Sequence, residues 1–134
     1  MANWTADLET IIYSVIKLNT YSALVDDFPN INYSAEETST TKATFPNVYI
    51  HTSSASEQGA DLQGESINAV MTVIQVDITA NTTKSDAKKV AYTIVDALKG
   101  LRFEITSLPI FTKEDDVHRA IIRARRMIGS GDTL

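Results

Sequence analysis

SINAVMTVIQVDITA, at residues 66–80, is the clearest β-strand pattern in the chain. Its apolar side chains fall on both alternations, with Met71 and Val73 on one and Ile74 and Val76 on the other. Apolar groups on both faces indicate either a central strand that is covered on two sides or a β-bulge near Val73 that moves the buried face. Either way, this run predicts a strand inside a sheet.

A helix is predicted directly after this strand. Ser85 can act as its N-cap, and Lys99-Gly100 is typical of a helix end. Apolar residues recur between them at helical spacing, which predicts one buried face. The predicted inward positions are Val90, Ala91, Ile94, Val95 and Leu98.

Two further strands are predicted at the C-terminal end, over residues 101–107 and 117–127. The apolar segment 108–110, which contains a proline, and the charged turn 112–116 separate them. The second of these strands alternates arginine with small apolar residues, so one of its faces is predicted to be basic.

The N-terminal region predicts a helix. Thr5 can cap it, and an apolar stripe follows at helical spacing. The stripe consists of Leu8, Ile11, Ile12, Val15 and Ile16. The pattern resumes near Thr20 and stops at Phe28-Pro29, which fits one bent helix or two separate helices.

Two short strands and two polar loops are predicted between this helix and the central strand. The strands cover residues 31–35 and 48–51, and the loops cover 36–44 and 52–65. The element order is therefore α-β-β-β-α-β-β. This order predicts an α+β fold in which a mostly antiparallel sheet is packed on one face by an N-terminal helix and a middle helix.

The 134 residues fit a single domain over 1–134, with 129–134 expected to be a flexible tail. No stretch approaches the ~20 apolar residues that span a bilayer. The N-terminus has no signal-peptide pattern, so we expect a protein made and kept in a cytoplasm and no membrane association.

Catalytic and metal-binding patterns are scarce. The chain has no cysteine, which excludes disulfides and thiolate zinc sites, and His51 and His118 do not stand at metal-ligand spacing. An enzyme would need an acid and a base that converge in space, for which Asp77 with His51 is the candidate pair. We therefore expect no catalytic residues, no cofactor, no metal and no enzymatic activity.

Charge is divided unevenly along the chain. Residues 1–83 carry two lysines against ten acidic residues, a net −8, whereas residues 84–134 carry ten basic and seven acidic residues, a net +3. Alternation places Arg119, Arg123 and Arg125 on one strand face. This row could face solvent, form ion pairs between subunits, or contact a nucleic-acid backbone. The negative overall charge argues against the last of these.

Five stretches carry a family resemblance. They are LETII at 8–12, PNVYI at 46–50, VIQVDI at 73–78, AKKVAYTIVDAL at 87–98 and RAIIRARR at 119–126. Through them the chain resembles the tail terminator, or tail completion, proteins of long-tailed bacteriophages and of related phage tail-like particles. The resemblance covers most of the chain.

The resemblance implies a structural virion protein, assembled in the host cytoplasm, that forms a homohexameric ring on the tail tube. Such a ring ends tube polymerisation and presents a docking surface for head or neck proteins. Its partners are then other copies of the chain, the tail tube protein and a neck or head-completion protein, while DNA passes through without sequence-specific binding. Alternatives are another neck or head-tail connector component, or a non-viral small ligand-binding α+β module.

The resemblance carries no catalytic residues, but it suggests interaction surfaces. The Arg119, Arg123 and Arg125 row is expected at a subunit interface, since a strongly attractive lining would hinder DNA in a conduit. The two polar loops are expected to contact partners. Their acidic residues are Glu36, Glu37, Glu57, Asp61 and Glu65.

Overall fold

The computed structural model of the chain describes residues 7–34, 46–58, 69–115 and 117–129. Their elements follow the predicted order α-β-β-β-α-β-β, which confirms the α+β class. They are α1 (Leu8–Leu24), β1 (Asn32–Ser34), β2 (Asn47–Gln58), β3 (Ala69–Ala80), α2 (Lys84–Gly100), β4 (Glu104–Glu114) and β5 (Val117–Gly129). No helix among these residues is long and apolar enough to cross a membrane.

The sheet has five strands in the order β1-β2-β3-β5-β4. β1 runs parallel to β2, and the other three pairings are antiparallel. β3 therefore lies in the middle of the sheet, but it is not covered on two sides, because both helices described by the structure lie on one face. The register shift lies in β2, between Thr52 and Ser54, so the buried face of β3 does not change along its length.

Both helices pack on the same face of the sheet. α1 contacts α2 and β2, and α2 contacts β3, β4 and β5. On this face β3 contributes Ile74, Val76 and Ile78, none of them more than 1% exposed. Every second residue of β5 also points here, so the core lies between the two layers.

α1 is one continuous helix, which decides between the two alternatives left open by the sequence. Its buried residues lie four apart, on one line facing the sheet: Leu8, Ile12, Ile16, Thr20 and Leu24. Ile11 was predicted in the buried stripe, but it is 44% exposed because it lies off this line. Thr5, the predicted cap, lies outside the described residues.

α2 begins and ends at different residues from those predicted. Thr83, not Ser85, is the N-cap, because its extended backbone places its Oγ1 to accept the Asp86 N–H at 3.1 Å. At the other end Gly100 is still helical, and Arg102 takes the left-handed conformation with φ 68°. The Phe103 N–H then bonds to the Leu98 carbonyl at 2.9 Å, which closes a Schellman motif. The five predicted inward residues are all buried.

β2 extends beyond its predicted end at His51 and runs to Gln58, so residues 52–58 are not a loop. Their pairing runs from Ser54 opposite Val73 to Gln58 opposite Ala69. Pairing with the long strand β3 keeps these residues extended, although their serine and alanine side chains do not by themselves indicate a strand. Residues 36–44 and 59–65 of the predicted loops lie outside the described part.

β4 begins at Glu104 and not at residue 101, and it continues through the segment 108–110 and into the predicted turn 112–116 as far as Glu114. Pro109 is compatible with a strand here, since β4 is at the sheet edge and its pairing with β5 is irregular between Ser107 and Ile110. β5 ends at Gly129, the first residue of the predicted tail, which pairs with Ala69. Residues 130–134 of that tail are outside the described part.

A tyrosine contact holds the edge strand β1 against α1. The Tyr33 hydroxyl lies 2.6 Å from Thr20 Oγ1, which itself donates to the Ile16 carbonyl at 2.8 Å. Because that bond uses the single Thr20 hydroxyl proton, Tyr33 is the donor between the two hydroxyls. Burial raises the pKa of the Tyr33 phenol above its usual 10.0, and Thr20 offsets part of this rise because it can turn to donate to a phenolate.

Candidate subunit-interaction surface

The sheet face opposite the two helices carries the predicted arginine row, and we call it the open face. On β5 the exposed residues Arg119, Arg123 and Arg125 alternate with the buried Ala120, Ile122 and Ala124. The prediction that the three arginines share one face is therefore confirmed. Their role at an interface remains a prediction.

Two of the three arginines have a carboxylate partner on a neighbouring strand. Arg125 Nε lies 3.0 Å from Glu104 Oε2, and these residues are directly opposite in the β4–β5 ladder. Arg119 Nη2 lies 3.5 Å from Asp77 Oδ2 on β3. These pairs add little stability because their arginines are about half exposed, but they compensate much of the charge that the row would offer a partner.

Arg123 differs from the other two because its partner is neutral. Its Nε donates to Gln75 Oε1 at 3.1 Å. Within the described part of the chain no carboxylate lies within 4.0 Å of the Arg123 guanidinium. A permanent positive charge is thus left uncompensated near the middle of the open face.

Asp77 is the centre of a polar cluster on β2 and β3. The Gln75 side-chain amide donates to Asp77 Oδ1 at 3.0 Å, and His51 Nε2 lies 3.4 Å from Asp77 Oδ2. The His51 ring stacks on Tyr49 with centroids 4.3 Å apart. These neighbours and Arg119 leave Asp77 only 9% exposed, although no helix covers it.

The structure therefore brings together the His51 and Asp77 pair that the sequence offered as an acid–base candidate. The pair lies on a sheet face, and neither side chain lines three of the grooves that the described residues form. His118 is on the other alternation of the sheet, opposite Ala80. Among residues 7–34, 46–58, 69–115 and 117–129, no group of three His, Asp or Glu side chains could hold a metal ion.

Apolar side chains share the open face with Arg123. Ile121 lies opposite Ile110 in the β4–β5 ladder, and Ile110 is 60% exposed. Met127 is 46% exposed further along β5. A face that combines exposed isoleucine and methionine with arginine resembles a protein interface, whose core is apolar and in which methionine and arginine are enriched.

The predicted loop residues receive no structural support as a surface. Glu36, Glu37, Asp61 and Glu65 lie outside the described residues. The Glu57 backbone pairs with Val70 in the β2–β3 ladder, so this residue belongs to a strand and the prediction that it lies in a loop is wrong.

Sequence reasoning missed a carboxylate at the outer edge of β2. Glu9, in the first turn of α1, accepts the Thr52 N–H at 3.0 Å through Oε2. This bond satisfies an edge donor that no described strand covers, because β1 pairs with β2 only over Asn47–Tyr49. The two residues are 43 positions apart, so no local pattern could have indicated their contact.

Comparison with known proteins shows a similarity of fold. The chain matches no protein-family model and no curated protein. It is similar to a chain of the solved structure "Virion of native gene transfer agent (GTA) particle", with a TM-score of 0.57 and 14% sequence identity. The superposition covers 97% of this chain and 100% of that chain. This likeness is one of fold. It extends over nearly all of this chain, so it is not confined to one part of the α+β domain.

Proposed function

We propose that this chain is a structural component of a phage-like virion, and specifically a subunit of a ring that caps a tail tube. The observation that carries the proposal is the fold likeness to a chain of a gene transfer agent virion, which covers 97% of this chain. The resemblance to tail terminator proteins supports the more specific role.

The mechanism in this proposal is association alone. Heterologous contacts between copies close a ring about an axis, and a closed ring has two different ends. One end would bind the last layer of tail tube protein and the other would bind a neck or head-completion protein. Polymerisation stops because the outer end does not reproduce the surface that a tube subunit offers. No step makes or breaks a covalent bond, so His51 and Asp77 need no catalytic role.

The open face supports the interface hypothesis for the arginine row better than a role in binding nucleic acid. A phosphate-binding surface gains affinity from several uncompensated cations. Here Glu104 and Asp77 already pair with two of the three arginines. A single uncompensated Arg123 among exposed apolar side chains resembles an interface hot spot more closely than a phosphate-binding track.

Solution mass and electron microscopy test this proposal together. The purified chain should form six-membered rings whose population rises with concentration. Adding it to polymerising tail tube protein should then shorten the tubes and leave a ring at one end. A chain that stays monomeric and leaves tube length unchanged would contradict the proposal. Rings that bind head-side proteins but do not affect tube length would favour the neck or connector alternative.

A further inference from the structure

Arg123 and Glu9 lie toward opposite edges of the sheet. Arg123 lies on β5, whose neighbour β4 forms one edge of the sheet. The Glu9 carboxylate is bound to Thr52 of β2, on the side of the sheet where the three-residue β1 is the outermost strand. A head-to-tail contact requires two different patches on separate sides of one subunit, and these two residues satisfy that requirement.

The Glu9 carboxylate is both held in place and available. Its Oε2 accepts the Thr52 N–H, and within the described part of the chain Glu9 forms no ion pair. A fixed carboxylate loses less side-chain entropy on pairing than a freely rotating one. Beside it, Ser53, Ser54 and Ala55 of β2 are exposed and small, so a neighbour can approach closely.

Three other carboxylates of the described residues already have a basic partner. Asp77 contacts Arg119 and His51, and Glu104 pairs with Arg125. Asp27, at the end of the helical layer, pairs with Lys89. Glu9 is held by the Thr52 N–H but has no such partner, just as Arg123 has no carboxylate partner in the arginine row.

We propose that Arg123 of one copy pairs with Glu9 of the next copy around the ring. This inference rests on the proposed function, because it assumes that copies of the chain meet head to tail. The occupant of the open face around Arg123 is then the α1 N-terminus and outer β2 edge of a second copy. Complementary charge fixes the register, while Ile110, Ile121 and Met127 supply apolar contact area.

A charge-swap experiment tests this pairing directly. Arg123→Glu and Glu9→Lys are each expected to weaken ring formation about tenfold or more, because each places like charges together. An equimolar mixture of the two variants should restore rings in which the two variants alternate. At every second contact the introduced lysine would then meet the introduced glutamate, and at the others the unchanged Arg123 would meet the unchanged Glu9.

Two controls separate the pairing from a folding defect. Glu9→Gln keeps an oxygen acceptor for the Thr52 N–H but removes the charge, so it should weaken rings without changing the circular dichroism spectrum or the melting temperature. Glu9→Lys and Arg123→Glu should each remain folded as monomers by the same measurements. Recovery in the mixture itself would show that both variant chains are folded.

The outcomes distinguish this inference from the proposed function. Wild-type rings together with normal rings from Glu9→Lys would overturn the pairing and leave the ring proposal standing. Failure of the mixture to recover, with both single variants folded and defective, would also overturn the pairing. A wild-type chain that never oligomerises and does not cap tubes would overturn both. Loss of DNA binding in Arg123→Glu with rings unaffected would assign Arg123 to nucleic acid instead.

Discussion

The two faces of β5 are built from alternate residues of one strand, yet they have opposite properties. Toward the helices it presents Ala120, Ile122 and Ala124, none of which has any exposed surface. Toward the open face it presents arginines with partners on β3 and β4. Burial on one face stabilises the fold, while the other face is left with charge and apolar surface that the fold does not require. Substitutions on the two faces should therefore have separable effects.

The largest expected difference lies between two adjacent isoleucines. Ile122→Ala removes a fully buried side chain and should lower the free energy of unfolding by about 2–5 kcal/mol. Ile121 lies on the open face and is half-buried, so Ile121→Ala should lower the free energy of unfolding by less than about half as much as Ile122→Ala does. Chemical denaturation of both variants measures the difference. Equal losses would contradict the division of roles between the faces.

The helix that covers the sheet provides the next test. Thr83→Ala removes the oxygen that accepts the Asp86 N–H, and should lower the free energy of unfolding by about 1 kcal/mol. Ser85→Ala is the matched control, since Ser85 is exposed in the first turn and is not the cap. Thermal unfolding of the two variants should show the larger loss for Thr83. The reverse order would mean that the helix begins where the sequence suggested.

Alkaline pH should lower the free energy of unfolding, because the buried Tyr33 phenol ionises. Its pKa is raised in the folded state, so its contribution to stability is fully present below about pH 10 and is lost as the pH rises through the folded-state pKa. When the pH is raised from neutral to above 10, the free energy of unfolding should fall less in Tyr33→Phe than in the wild type. Denaturation at both pH values measures this difference, and identical losses in the two proteins would contradict it.

The smallest stability effect is expected on the open face. Arg125→Gln breaks the ion pair with Glu104, but both side chains are well exposed, so the free energy of unfolding should fall by no more than about 1 kcal/mol. The companion variant Glu104→Gln should behave similarly. A loss of unfolding free energy as large as that of Ile122→Ala would show that the open face also stabilises the fold.

Periodicity predicted much of this architecture because it reports burial on each element. The alternation of β3, the inward face of α2 and the common face of the three arginines all follow from the local sequence. Thr83 and Ser85 are both suitable caps, and only the backbone conformation at Thr83 decides between them.

The rest of the fold could not be predicted from local patterns, because it depends on contacts between residues that are far apart in the sequence. Pairing with β3 determines the length of β2, since Ser53, Ser54 and Ala55 have little strand preference of their own. The partners of the arginine row follow from the strand register, which places Glu104 opposite Arg125 and Gln75 opposite Arg123. The distinction between compensated and uncompensated arginines was therefore not visible in the sequence.

If the open face joins copies of this chain, one matched pair of variants should differ in sedimentation. Arg123→Glu and Lys88→Glu make the same change in charge, the first on the open face and the second on the exposed side of α2. At a concentration where the wild type forms rings, Arg123→Glu should sediment as a folded monomer and Lys88→Glu as a ring. Rings from both variants, or from Arg123→Glu alone, would show that the open face does not join copies of the chain.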